Sequence, residues 1–243
     1  MTLSRFFRLS ASLLLAVSIT SPFYAHARTN STDITPLILI SIDGYRADYL
    51  QRGKSATLKS LREQGGYAKQ MHPSFPSLTF PNHYTLVTGL RPDQHGIIAN
   101  TMDDPAIPGV RFSMGNKQAV TDRKWWDQAT PIWVSAERHG IPSATMFWPG
   151  SEAAIQGFRP SEWRPFDGKQ SALQRVQTLL SWLDKPQTER PRFLTLYFDD
   201  VDHAGHDFGP DSTELERALL DVDRALASLL DGLRQRNLSA NLV

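Results

Sequence analysis

Pro36-Leu37-Ile38-Leu39-Ile40-Ser41-Ile42-Asp43-Gly44 is almost continuously apolar and β-branched until it stops on an acid and a glycine. A strand with one wet face alternates polar and apolar residues. An unbroken apolar run instead predicts a strand buried on both faces of a parallel sheet. Arg192 to Phe198 is a second, β-branched and aromatic strand, and acids follow it too, at Asp199, Asp200 and Asp202. Between the two runs the spacing predicts a helix over Ser55 to Gln64 stopped by Gly65-Gly66, and a helix over Asn82 to Val87 closed by Gly89. Pro131 to Arg138 is a helix stopped at Gly140, Ser143 to Trp148 a short strand, and Gln170 to Leu183 another helix. Pro149 to Gly168, rich in Trp, Pro, Gly and Arg, reads as a long surface loop or lid with no regular element. Leu215, Leu219, Val222, Leu226, Leu229 and Leu230 recur at helical spacing over Glu214 to Leu233, and Leu242-Val243 opens a further strand. Strands alternating with helices define an α/β protein, an open and mostly parallel sheet with helices on both faces.

The 243 residues, 40% hydrophobic and 21% charged, suffice for a globular core and exclude a disordered or multi-span membrane chain. A net charge of +1 with interspersed signs leaves no footprint for binding a nucleic-acid polymer. Residues 1–27 read as a signal peptide: Arg5 and Arg8 precede an apolar run from Ala11 to Ile19, and Ala25-His26-Ala27 has the small-x-small pattern of a cleavage site. The run is too short to span a bilayer. After cleavage no membrane span is expected, residues 28–35 form a polar linker, and residues 36–243 form the folded part. The protein is expected to be exported, periplasmic or secreted. The absence of cysteine fits a periplasm and removes thiolate ligands and a thiol nucleophile together.

Ligands of open α/β sheets collect beyond the carboxyl ends of the strands, where Asp43 and the cluster Asp199, Asp200 and Asp202 fall. Asp43 alone has an ordinary alternative as a turn residue before Gly44. The second cluster, Asp199 to Pro210, sets a carboxylate and an imidazole four residues apart, at Asp202 and His206, in a turn rich in glycine. Oxygen and imidazole donors are the mix that zinc accepts without thiolates. In Phe75-Pro76-Ser77-Leu78-Thr79-Phe80-Pro81-Asn82-His83-Tyr84, Thr79 stands just before a helix, at a helix N-terminus that favours an anion. Threonine is a good helix cap, which is the ordinary reading of such a residue, and a capping role is compatible with a nucleophilic one. A threonine hydroxyl attacks only if a base or metal activates it, so a nucleophilic Thr79 implies a metal beside it, held by Asp43.

Leu39-Ile40-Ser41-Ile42-Asp43-Gly44, Thr79-Phe80-Pro81-Asn82-His83, Thr88-Gly89-Leu90-Arg91-Pro92-Asp93-Gln94-His95-Gly96-Ile97, and Gly205-His206 with Gly209-Pro210 together resemble the nucleotide pyrophosphatase/phosphodiesterase family of the alkaline phosphatase superfamily. The resemblance implies an alkaline-phosphatase-like sheet and two zinc ions, one held by Asp43 and Thr79 and one by Asp202 and His206. It implies that Thr79 attacks phosphorus in a small phosphodiester or nucleotide substrate, giving a phosphothreonine that water then releases. Nucleoside monophosphate is the expected product. Asn100 matches an asparagine that binds a phosphoryl oxygen, and Phe80 an aromatic that stacks on a nucleobase. The chain departs from the pattern at Asp200-Val201, where the family carries Glu-Pro. The family's Asp-His pair and its later histidine are also absent, so the sheet is expected to be incomplete at the C-terminus and this stretch inactive or very weak. Two alternatives are a phosphomonoesterase of the same superfamily and a catalytically dead remnant acting as a binding module. His83 and His95 are expected to be structural, and Trp163 is a candidate substrate contact.

Overall fold

The computed structural model describes residues 35–243, so the signal-peptide reading and nearly all of the linker lie outside the described residues. In chain order the elements are β1 (Leu37–Ile42), α1 (Ala56–Gln64), α2 (Thr79–Thr88), α3 (Pro92–His95), β2 (Thr101–Met102), β3 (Phe112–Ser113) and α4 (Lys117–Thr121). There follow α5 (Ile132–Arg138), β4 (Ser143–Met146), β5 (Glu162–Trp163), α6 (Ala172–Leu183), β6 (Phe193–Phe198), α7 (Asp200–Phe208), α8 (Thr213–Gln235) and β7 (Asn241–Leu242). Five strands form one sheet in the order β5-β4-β6-β1-β7, and every pairing in it is parallel. The strands β2 and β3 make a separate antiparallel pair. Helices pack on both faces of the large sheet, as expected. The register sets Ile42 opposite Phe198, which brings the residues after β1 and β6 side by side.

Local chemistry accounts for the helices. Ser171 and Gln174 form a reciprocal capping box at the start of α6, and Ser212 caps α8 through the Leu215 N–H. The apolar stripe of α8 buries Leu215, Leu219, Val222, Leu226 and Leu229, while Leu230 is half-buried at its margin. The cap of α1 comes from elsewhere in the chain. Ser55 makes no side-chain cap, and the Asp223 carboxylate of α8 accepts from the Thr57 and Leu58 N–H groups instead.

Several expectations are corrected. The segment after Asp199, read as a glycine-rich turn, is the helix α7: Val201 and Ala204 face inward at helical spacing, and the early acids complement the positive end of the dipole. Residues 149–168 are only in part a surface loop: 157–159, 161 and 164–168 are exposed, but the rest is not. Ser151, Ala153 and Ile155 are fully buried, and Glu162–Trp163 pairs with β4 as an edge strand. Side chains supply the backbone partners there, as where Asp127 Oδ1 accepts from Gln156 N at 2.6 Å and Glu152 Oε1 from Phe166 N at 3.1 Å. The strand expected over Ser143 to Trp148 ends at Met146, because Phe147 adopts φ +63°. Finally, β6 is buried throughout but β1 is mostly half-buried, since its outer neighbour β7 spans only two residues.

Candidate active site

The site is built from the turn that ends β1 and from two helix starts. Asp43 leaves the sheet just before Gly44, whose φ of +68° only glycine adopts without strain. Gly44 also has no room for a side chain, because a Cβ there would lie 2.7 Å from the Asp202 Cα. The first turn of α7 is thereby held against the end of β1.

Thr79 does not cap its helix. The residue at the cap position of α2 is Leu78, and Thr79 is the first helical residue. Its hydroxyl donates to Asp43 Oδ2 at 3.1 Å, and the Tyr197 hydroxyl donates to the same oxygen at 2.8 Å. The capping alternative therefore falls away. Burial above all, and then the negative charge of Asp43, pushes the Tyr197 phenol far above its ordinary range, so it remains a hydrogen-bond donor. Behind Thr79, His83 bonds the Thr79 carbonyl through Nδ1 at 2.7 Å and Ser41 Oγ through Nε2 at 2.8 Å. Its desolvation lowers its pKa. His95 is fully buried against Thr85, Pro81 and Ile97, so both histidines are spent on packing.

On α7, Asp202 and His206 are one turn apart, with His206 Nε2 3.5 Å from Asp202 Oδ1. The His206 side chain is 78% exposed. Burial and then the neighbouring Asp43 raise the pKa of Asp202, the signature of two carboxylates sharing a site. Asn100 is tied to the residue after Thr79: its Oδ1 accepts from Phe80 N at 2.9 Å, which leaves its amide NH2 as the donor.

A cavity of about 140 Å³ opens beside Thr79 and is lined chiefly by aromatic and apolar groups. Phe80 forms one side, packed at tilted and edge-on angles against Phe112 and Trp126. Phe147 and Phe166 meet edge-on at 5.2 Å on another. Asp199, Asp202 and His203 complete the lining.

The structure thus brings Asp43, Thr79 and Asp202 together, sets His206 beside Asp202, and anchors Asn100 on Phe80. Trp163 is not among the cavity-lining residues; it sits in the edge strand β5 beneath the Arg159 guanidinium. Sequence reasoning missed Tyr197, Gly44 as a spacer, and the pair Arg175 and Asp199. Tyr197 lay two residues before a recognised acid on a strand, so period-two alternation placed its side chain on the opposite face from Phe198. No local signal announced Arg175, whose partner is distant in sequence.

The donor chemistry fits a borderline divalent ion such as zinc: two carboxylates, an imidazole and a hydroxyl, with the crowded carboxylates favouring a cation. The set is partial. Among the described residues no three His, Asp or Glu side chains converge as a metal site.

A wholly parallel sheet with a hydroxyl and carboxylates gathered beyond its strand ends is an open α/β architecture, and its likeness to the solved relatives below makes it the alkaline-phosphatase-like one. More narrowly, the chain belongs to the type I phosphodiesterase / nucleotide pyrophosphatase family, whose sequence profile matches residues 37–243. It is 41% identical over 227 residues to a Schizosaccharomyces pombe protein named an uncharacterized pyrophosphatase/phosphodiesterase, covering 93% of this chain and 47% of that protein. It is 42% identical over 205 residues to human ectonucleotide pyrophosphatase/phosphodiesterase family member 1, covering 84% of this chain and 22% of the relative. Murine ectonucleotide pyrophosphatase/phosphodiesterase 5 superposes with a TM-score of 0.78 at 34% identity, over 86% of this chain and 55% of that one. An inactive threonine-to-alanine variant of that protein, in complex with AMP, superposes with a TM-score of 0.78 at 33% identity. The chain spans about half the length, or less, of these relatives.

Proposed function

We propose that this chain carries the nucleophile half of a zinc-dependent hydrolase of phosphodiesters and nucleotide pyrophosphates. The observation that carries the reading is the Thr79 hydroxyl, 3.1 Å from Asp43 Oδ2, facing an aromatic cavity and free of any capping role. Asp43 and Thr79 would hold one zinc, and Asp202 and His206 the other. Bound there, zinc supplies charge neutralisation at phosphorus and lowers the pKa of a coordinated hydroxyl. Thr79 Oγ attacks phosphorus, the bond to the leaving oxygen breaks, and the leaving group departs carrying a proton. Water then cleaves the phosphothreonine and restores the hydroxyl. The Asn100 amide donates to a non-bridging phosphoryl oxygen, where negative charge must be held. Phe80 and its aromatic neighbours receive a nucleobase, and nucleoside monophosphate is released; AMP in the related murine structure agrees with this.

Four donors are fewer than two four-coordinate zinc sites need. Residues 37–243 by themselves are therefore expected to hold zinc incompletely and turn over little, and two tightly bound zinc ions in this chain would contradict that. In a protein carrying further ligands, Thr79→Ala is expected to lower turnover of a nitrophenyl nucleotide ester by at least about a thousandfold. Zinc content should stay nearly unchanged, and retained turnover would remove Thr79 from its role. Residues 1–27 are proposed as an export signal, in keeping with relatives named ectonucleotide enzymes. Among the described residues no helix is long and apolar enough to cross a membrane.

A further inference from the structure

Arg175, Asp199 and His203 form a run of contacts from the core to the cavity. Arg175 of α6 is 1% exposed and donates to the Tyr197 carbonyl at 3.1 Å and to Asp199 Oδ1 at 2.5 Å. Its guanidinium also lies over the Phe147 ring, a wall of the cavity. Asp199 is 5% exposed, and its other oxygen, Oδ2, meets His203 Nδ1 at 3.1 Å. His203 stands one helical turn further along α7 with its ring at the cavity. A buried, neutralised carboxylate with both oxygens engaged is a rigid support. Support of this kind fixes both the direction of an imidazole and its tautomer.

A carboxylate only accepts, so the proton of the neutral ring resides on Nδ1, and Nε2 is left as an acceptor with no protein partner among the described residues. An acceptor finds nothing to bind on phosphate oxygens. The donors on a nucleotide are its sugar hydroxyls and base amines, and the base belongs against the aromatic wall. The sugar joins that base to the phosphorus that Thr79 attacks, and His203 lines the cavity shared by both. Resting on the nucleotide reading above, we propose that His203 is a specificity-determining contact whose Nε2 accepts a hydrogen bond from a sugar hydroxyl. Asp199 and Arg175 act as its positioning residues.

The test compares binding of AMP and of 2′,3′-dideoxyadenosine monophosphate to this chain, by calorimetry in the presence of zinc. One neutral hydrogen bond predicts that AMP binds about threefold to tenfold more tightly. His203→Leu is expected to abolish that preference, and His203→Gln, which keeps an acceptor, to restore part of it. Asp199→Asn presents an amide N–H to Nδ1 and moves the ring proton to Nε2, a change visible in nitrogen NMR of the imidazole. The preference should vanish there although the ring remains. Equal binding of the two nucleotides by the unaltered chain, or a preference that survives His203→Leu, overturns the assignment. Loss of a zinc equivalent in His203→Leu also overturns it, by making the ring a metal ligand. Failure to bind either nucleotide although zinc is taken up would remove the nucleotide reading as well.

Discussion

The two sides of the site are built on opposite principles. On the aromatic side, Tyr84, Phe112, Trp126 and Trp148 are all at most 1% exposed; Tyr84 and Phe112 meet Trp126 edge to face, Trp148 meets His83 in the same way, and the Trp126 and Trp148 N–H groups are bonded to carbonyls. On the α7 side, His206 is 78% exposed, with its Nε2 3.5 Å from the Asp202 carboxylate. Packing therefore shapes the surface that receives a substrate, while of the proposed ion donors Asp43, Thr79 and Asp202 are half-buried and His206 stands largely in water.

Perturbing each side should show this contrast as a falling series of stability losses. Trp126→Ala empties the centre of the aromatic side and is expected to cost about 3 to 5 kcal/mol in urea unfolding. Gly44→Ala strikes the seam between the sides. The left-handed backbone alone costs about 1 to 2 kcal/mol, and displacement of α7 should also weaken zinc binding. Tyr197→Phe removes one of the two hydroxyls that donate to Asp43 Oδ2, for a loss of about 1 to 2 kcal/mol. His206→Ala is expected to change stability by less than about 0.5 kcal/mol while lowering zinc uptake in equilibrium dialysis. A large unfolding effect at His206, or a negligible one at Trp126, would break the contrast.

The strands β1 and β6 were legible because an apolar run that halts on acids carries its own boundaries, and the stripe of α8 because its period is long. The helix α7 was not legible. Four acids and two glycines hid the inward pair Val201 and Ala204, and its stability comes from packing against α8 and the end of β1. Residues 149–168 misled for a related reason. Their Pro, Gly and Trp suggested a surface loop, but Asp127 and Glu152 satisfy backbone groups that a buried loop would otherwise strand. Asp43, Thr79, Phe80, Asn100 and Asp202 were legible as candidates because each lies in a motif near an element boundary. Tyr197 and Arg175 work through partners distant in sequence, which no window along the chain contains.

The contact between Gly44 and the Asp202 backbone makes the spacing of the two donor sets a property of the main chain. Side chains on the exposed face of α7 are then free to drift across generations without altering that spacing. A change at position 44 has no such freedom. The loss of one hydrogen atom's worth of clearance there would move an entire helix, so this glycine acts as the gauge block against which the rest of the site is measured.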